Sequence, residues 1–259
     1  MELHNLEDLS RFHNTLLKLK EEYKPPYALM EKVNSEYKTF IESGCYYTWL
    51  ALATRVLKPK RILELGNYHG ASTIMIYSEL TDETNAFYSV DLVRDVSFVP
   101  DKILLDKKVK FTFGNDLNLS IYEENLPIKL DFLFIDTLHE YRQIKAEWKI
   151  YKNLCKPNAV VILDDILLND LPKFWSELPY PKLDISKDCH ESGFGIFIYQ
   201  PEDKKEPDEN VMAKQAYIAA LEVAYQYVTY PVAASKSSSS IDRSIKYAKT
   251  LFRNRRGGS

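Results

Sequence analysis

Three carboxylates and a histidine stand where two apolar runs of this chain end. Asp136 follows Leu130–Ile135, Asp164 and Asp165 follow residues 159–163, and His139 lies three residues past Asp136. Both runs are rich in Ile, Leu, Val and Phe, long enough for buried parallel strands and too short for helices. In an open parallel sheet, ligands bind in the crevice outside the carboxyl ends of the strands, so the acids are expected to meet at one rim. Clustered carboxylates repel, and a hard divalent cation held by oxygen would compensate them. A histidine beside them can accept a proton near neutral pH. The plainer alternative is that these acids cap the next element or stay solvated.

Other elements must position this group. Between the two runs, Ile144, Trp148, Tyr151 and Leu154 recur at helical spacing, with Arg142, Lys145, Glu147, Lys149 and Lys152 on the opposite face. Lys156-Pro157-Asn158 is expected to stop that helix. Upstream, Arg61–Leu65 reads as a strand running into Gly66-Asn67-Tyr68-His69-Gly70-Ala71-Ser72-Thr73, then a helix over 71–80. A strand, a glycine turn and a helix let backbone N–H groups approach a nucleotide closely. A second strand over 86–90 ends at Asp91, 25 residues beyond Gly66 and about where an acid reaches a ribose hydroxyl. A third, over 110–113, ends in Gly114-Asn115-Asp116. A short helix over 171–178, carrying Phe174 and Trp175, precedes a last strand over 193–199. This alternation argues an α/β fold, a doubly wound parallel sheet with helices on both faces.

The flanks are helical. Asn5 caps a first helix with the stripe Leu6, Leu9, Phe12 and Leu16, and His4 and His13 fall on its polar side. A second helix carries Leu29, Val33, Tyr37 and Phe40 and closes at Gly44; Tyr46–Leu57 makes a third. The expected organisation is an N-terminal helical flank (1–58), the core (59–200), a helical extension (201–234) and a serine linker with a basic amphipathic helix (235–259). That last helix offers a surface for a membrane or a protein partner. The alanine- and tyrosine-rich stretch over 211–230 could dock on its own sheet or on a second copy.

With 259 residues, 45% hydrophobic and 27% charged, the chain has the composition of an ordinary globular protein. A net charge of −3 gives no reason to expect nucleic acid as partner. Cys45, Cys155 and Cys189 show no paired spacing and read as reduced thiols of a cytoplasmic protein. The N-terminus lacks a signal-peptide pattern, and no run is long and uncharged enough to span a membrane. The glycine turn lacks the G-x-G-x-x-G that a dinucleotide needs, and no P-loop occurs.

The turn resembles motif I of class I S-adenosylmethionine-dependent methyltransferases in the form E-x-G-x-x-x-G-x-S-T: Glu64, Gly66, Gly70, Ser72 and Thr73. Asp91, Gly-Asn-Asp after the third strand, I-D-x-x-H-x-Y (Ile135, Asp136, His139, Tyr141) and the Asp-Asp strand follow in order. This set, over roughly residues 55–199, resembles the metal-dependent O-methyltransferase group that includes macrocin-type sugar O-methyltransferases and cephalosporin-hydroxylase-like proteins, and more distantly the catechol and caffeoyl-CoA enzymes. The resemblance implies a Rossmann-like seven-stranded sheet and places Glu64, Gly66, Asn67, Tyr68, Gly70 and Ser72 at the cofactor turn. It puts Asp91 on the ribose, Asn115 and Asp116 near adenine, and Asp136 at both cofactor and metal. Asp136, Asp164 and Asp165 match the metal ligands, for Mg²⁺ or a similar ion, and His139 matches the base. Two departures stand out: bulky residues replace the middle glycine of motif I, and Asp165 stands where the catechol-type enzymes have asparagine. The implied reaction is methyl transfer to a hydroxyl of a sugar or natural product, releasing S-adenosylhomocysteine. A metal-independent methyltransferase, or a scaffold that binds cofactor without catalysis, are the alternatives.

Overall fold

The computed structural model describes residues 1–202 and 206–229. Three helices come first: α1 (Leu6–Lys20), α2 (Ser35–Glu42) and α3 (Tyr46–Leu57). Then follow β1 (Arg61–Leu65), α4 (Ala71–Tyr77), β2 (Ala86–Asp91), α5 (Asp101–Leu104), β3 (Val109–Phe113), β4 (Leu130–Ile135), α6 (Tyr141–Tyr151) and β5 (Cys155–Asp164). The remainder is α7 (Leu171–Glu177), β6 (Lys182–Asp184), α8 (Ser186–Cys189), β7 (Phe194–Ile198) and α9 (Glu209–Thr229). Met1–Leu221 forms one compact unit; a second, Glu222–Ser259, is described only through the end of α9. The expected serine linker and basic helix lie outside the described residues. Among those described, no helix is long and apolar enough to cross a membrane.

The seven strands are ordered β3-β2-β1-β4-β5-β7-β6. Between β3 and β4 the chain crosses to the other side of β1, which creates the switch-point crevice of doubly wound sheets. The first five strands are parallel, but β7 runs antiparallel to both β5 and β6, so the expected all-parallel sheet is mixed. The reason is connection length: the short return from β6 through α8 permits an antiparallel neighbour, whereas a parallel one needs a long crossover.

Pairing aligns the functional ends. Leu65 lies opposite Val90 on one side and Ile135 on the other, and Ile135 opposite Leu163. The next residue on each strand is therefore Gly66, Asp91, Asp136 or Asp164, one glycine and three aspartates in one row on strands about 4.8 Å apart. Beneath this row the sheet is apolar: Leu63, Phe87, Phe132, Phe134, Val161 and Ile162 are fully or nearly fully buried. Each such side chain contributes roughly 1.5–3 kcal/mol.

Several local expectations are corrected. Asn5 caps α1 by accepting from Asp8 N at 3.0 Å, and Leu9, Phe12 and Leu16 are buried, but Leu6 is exposed. His13 is not solvated: its ring stacks on Trp49 and lies 3.0 Å from Asp188. The expected second helix is split, with a single 3₁₀ turn at Tyr27–Leu29 and α2 capped anew by Asn34. α6 ends before Lys156-Pro157-Asn158, which belongs instead to an irregular start of β5, where Asn158 takes φ +65° and the pairing register shifts. Phe174, Trp175 and Tyr180 pack among the last strands. Phe174 is buried, Trp175 lies against Phe197, and Tyr180 stacks on Phe197 beside Trp148.

Candidate active site

The glycine turn is built by contacts only glycine tolerates. Gly66 has φ +86°, and a Cβ there would lie 1.8 Å from the Asp136 carbonyl oxygen. The tips of β1 and β4 are therefore in backbone contact. Gly70, at φ +95°, would drive a Cβ to 2.2 Å from Val99. Between them, Tyr68 takes φ +48° and is exposed at the turn's crest. His69 is a packing residue, 2.9 Å from Asp95 with its ring against Phe98.

Asp91 holds this turn in place. Its Oδ2 accepts from the N–H groups of Asn67 (3.0 Å) and Tyr68 (2.8 Å), and its Oδ1 accepts from Val93 N at 2.9 Å. Three of roughly four acceptor positions on the carboxylate are thus engaged by backbone, leaving one.

Beneath the turn, Asn67 Nδ2 donates to Ser89 Oγ (2.7 Å), which donates to Glu64 Oε2 (2.7 Å), where Thr73 also donates (2.5 Å). Glu64 is fully buried; desolvation raises its pKa from 4.5 to about 7, against the pull of the Ser72, Thr73 and Ser89 hydroxyls. Ser72 is also buried. Glu64 Oε1 and Asn67 Oδ1 are buried acceptors with no donor. The raised pKa carries a stability signature. Below about 4.5 the protonated form favours the folded state fully, and the gain is lost as pH rises through about 7. Denaturant unfolding of wild type and Glu64→Gln is expected to show the wild-type advantage shrinking by roughly 3 kcal/mol over that window.

On the other flank the acids meet two histidines. His139 Nε2 lies 3.1 Å from Asp136 Oδ1 and 3.1 Å from Asp165 Oδ2. His190 Nε2 lies 2.8 Å from Asp164 Oδ1, with its Nδ1 4.0 Å from Asp165. Ligand atoms of Asp164, Asp165 and His190 all fall within 4.8 Å of one another. The metal set expected from the sequence is Asp136, Asp164 and Asp165; Asp136 borders this trio through its contact with His139. Asp165 swings inward because its backbone takes φ +55°, a conformation costing about 1–2 kcal/mol for a non-glycine residue. Loop bonds fix the arrangement: Asn169 Nδ2 donates to His139 O (2.8 Å), Asp170 caps Tyr141 N (2.8 Å), and Leu167 N donates to Ser192 O (2.9 Å).

This cluster holds protons tightly because it is rich in negative charge. Burial and the Asp136 charge push Asp164 up to about 7, and burial raises Asp165. Burial opposes charge on His139 and His190, but the hydrogen bonds and charges of Asp136, Asp164 and Asp165 outweigh it and hold both above the ordinary histidine value.

Asn115 is exposed and folded back on its own turn, its Oδ1 accepting from Leu117 N at 3.0 Å. Asp116 is half-buried beside Gln143, whose Nε2 lies 3.3 Å from its Oδ1. The N-terminal helices bring aromatic rings toward the acids: Tyr46 lies 5.2 Å from the His190 ring and 4.2 Å from that of Tyr47. Burial, reinforced by Asp136 and Asp164, raises the Tyr46 phenol.

Residues 63–166, less than half of the chain, match the family model of a methyltransferase domain, Methyltransf_24. No curated protein matches the chain. Among solved structures, the O-methyltransferase from Bacillus cereus in complex with SAH is 19% identical, over 73% of this chain and 91% of that one, with a TM-score of 0.49. The O-methyltransferase TomG from Streptomyces achromogenes, involved in tomaymycin synthesis and solved with SAM, is 17% identical, over 60% and 80%, with a TM-score of 0.49. The SAH-bound methyltransferase PaMTH1 from Podospora anserina is 17% identical, over 89% and 82%, with a TM-score of 0.41.

Proposed function

We propose that this protein transfers a methyl group from S-adenosylmethionine to a hydroxyl of a small molecule or glycan, with a divalent cation at the acid cluster and His139 as base. The observation that supports it most is the register row that sets Gly66, Asp91, Asp136 and Asp164 side by side. A cofactor turn and an acid cluster then share one crevice.

The residues fit both groups. The donorless Glu64 Oε1 and Asn67 Oδ1 suit a ligand that brings a hydrogen-bond donor to the turn, as the ammonium of a methionine moiety does. The remaining acceptor position of Asp91 suits a ribose hydroxyl. Asp136, Asp164 and Asp165 supply hard oxygen donors and His190 a nitrogen, a set that accommodates Mg²⁺ and also Mn²⁺ or Zn²⁺. A bound cation would lower the pKa of an acceptor hydroxyl and orient it. Methyl transfer is an in-line displacement, so the acceptor must also be aligned. His139 would take the hydroxyl proton at Nε2 once that nitrogen is released from Asp136 and Asp165, both of which it now contacts. A vicinal diol chelates such a site naturally, which supports a sugar or catechol-like acceptor.

Because the cluster holds extra protons, cation binding must expel them. Affinity for Mg²⁺ or Mn²⁺ is expected to rise with pH through and above the ordinary histidine range, with proton release measurable by calorimetry in buffers of different ionisation enthalpy. The decisive test is titration of S-adenosylmethionine and S-adenosylhomocysteine with and without Mg²⁺, then turnover of diol acceptors in EDTA. Absence of cofactor binding would refute the reading. A second reading without metal draws on His139 and His190, whose ion pairs already balance the acids; full turnover in chelator would favour it.

A further inference from the structure

Glu147 is spaced along its helix like a solvated charge but is completely buried on α6. Its Oε1 accepts from Gln143 Nε2 at 2.7 Å, and Thr137 Oγ1 donates to the carboxyl at 2.7 and 3.0 Å. Thr137 is the neighbour of Asp136. The same Gln143 nitrogen reaches Asp116 Oδ1 at 3.3 Å, so the Asp116 and Glu147 carboxyls gather around one donor. Asp116 Oδ2 is buried with no donor. The other groups that face the pair are the hydroxyls of Tyr151, which donates to Asp116 O at 2.7 Å, and Tyr122, with the charge of Asp91 adding to the repulsion.

Two ionised carboxylates are both acceptors and cannot bond to each other. A single hydrogen on Glu147, donated to Asp116 Oδ2, satisfies the orphaned oxygen and removes the repulsion at once. We propose that Glu147 is a positioning residue: through one bridging hydrogen to Asp116 and its grip on Thr137, it sets the β3 end and the Asp136 end of the cofactor site from a single buried side chain. Burial and the neighbouring carboxyl both push Glu147 upward. This rests on the cofactor reading above, in which Asp116 lies beside the adenine.

The test is calorimetric titration of S-adenosylhomocysteine into wild type, Glu147→Gln and Glu147→Ala between pH 6 and 9, with kcat and KM measured alongside. Wild-type affinity is expected to fall roughly fivefold or more relative to Glu147→Gln as rising pH removes the bridging hydrogen. Glu147→Gln keeps a donor toward Asp116 at every pH, so it is expected to lack this component of the wild-type profile. Glu147→Ala should weaken binding about tenfold or more at pH 7 and lower kcat as well, because Thr137 and Asp116 both lose their anchor. Parallel pH profiles for wild type and Glu147→Gln would overturn the proposal, as would Glu147→Ala binding within twofold of wild type. If the alanine variant does not fold, the glutamine profile alone decides. Failure of wild type to bind S-adenosylhomocysteine at all would refute the methyltransferase reading, and this inference with it.

Discussion

Alanine at position 66 is expected to cripple the protein more than any other single-methyl change. The new Cβ would fall 1.8 Å from the carbonyl oxygen of Asp136, a backbone atom that no side-chain rotation can move aside. The left-handed backbone, at φ +86°, adds about 1–2 kcal/mol of its own. Parting the tips of β1 and β4 breaks the Asp136 N to Leu65 O bond at 2.8 Å and costs a further 1–3 kcal/mol or so. That is a large share of a total stability of roughly 5–15 kcal/mol. Gly66→Ala should therefore melt several degrees lower and bind S-adenosylhomocysteine at least about tenfold more weakly, since the turn and the Asp136 loop shift together. Wild-type melting and affinity would mean that the two strand tips are not in obligatory contact.

The second large effect separates two roles inside the acid cluster. His139→Ala is expected to lower kcat by about 10²–10⁴ while leaving S-adenosylhomocysteine affinity intact. Divalent-ion affinity should not fall and should rise slightly, because one competing cation has been removed. Asp164→Ala is expected to lower turnover by a similar or larger factor and to abolish the metal isotherm, since Asp164 is 3% exposed and belongs to the trio with Asp165 and His190. The contrast is the measurement: stopped-time turnover beside metal calorimetry for both variants. If both lose metal affinity equally, His139 is a ligand and not the base. If Asp164→Ala keeps both activities, the cluster serves structure only.

Much of this arrangement could be read from the chain because strand ends are legible. An apolar run that breaks at Gly66, Asp91, Asp136 or Asp164 announces both the strand and the residue that emerges from it. The parallel register then places those residues in one row with little freedom. Other features were hidden because they depend on contacts that no local period encodes. His190 reaches Asp164 only because β7 folds back beside β5, and a loop histidine carries no mark of that return. β6 spans just Lys182–Asp184, too short to show alternation. Glu147 falls opposite the apolar stripe by spacing, yet it is buried because loops after β3 and β4 close over that face with Asp116 and Thr137. Leu6 shows the reverse: its spacing is right for burial, but it lies at the outer end of α1 and stays exposed.

The hold of Asp91 on the glycine turn bears on how the protein would behave in a cell. With Asn67, Tyr68 and Val93 already bonded to its carboxylate, the turn is formed before any ligand arrives, so binding requires no ordering of that segment. A site assembled in advance presents the same donors and acceptors to substrate and product, which here differ by one methyl group and the charge on sulfur. Such a site has little means of rejecting the spent molecule. On the methyltransferase reading, S-adenosylhomocysteine would bind about as well as S-adenosylmethionine, and turnover would follow the ratio of the two in the surrounding pool more closely than the amount of either one.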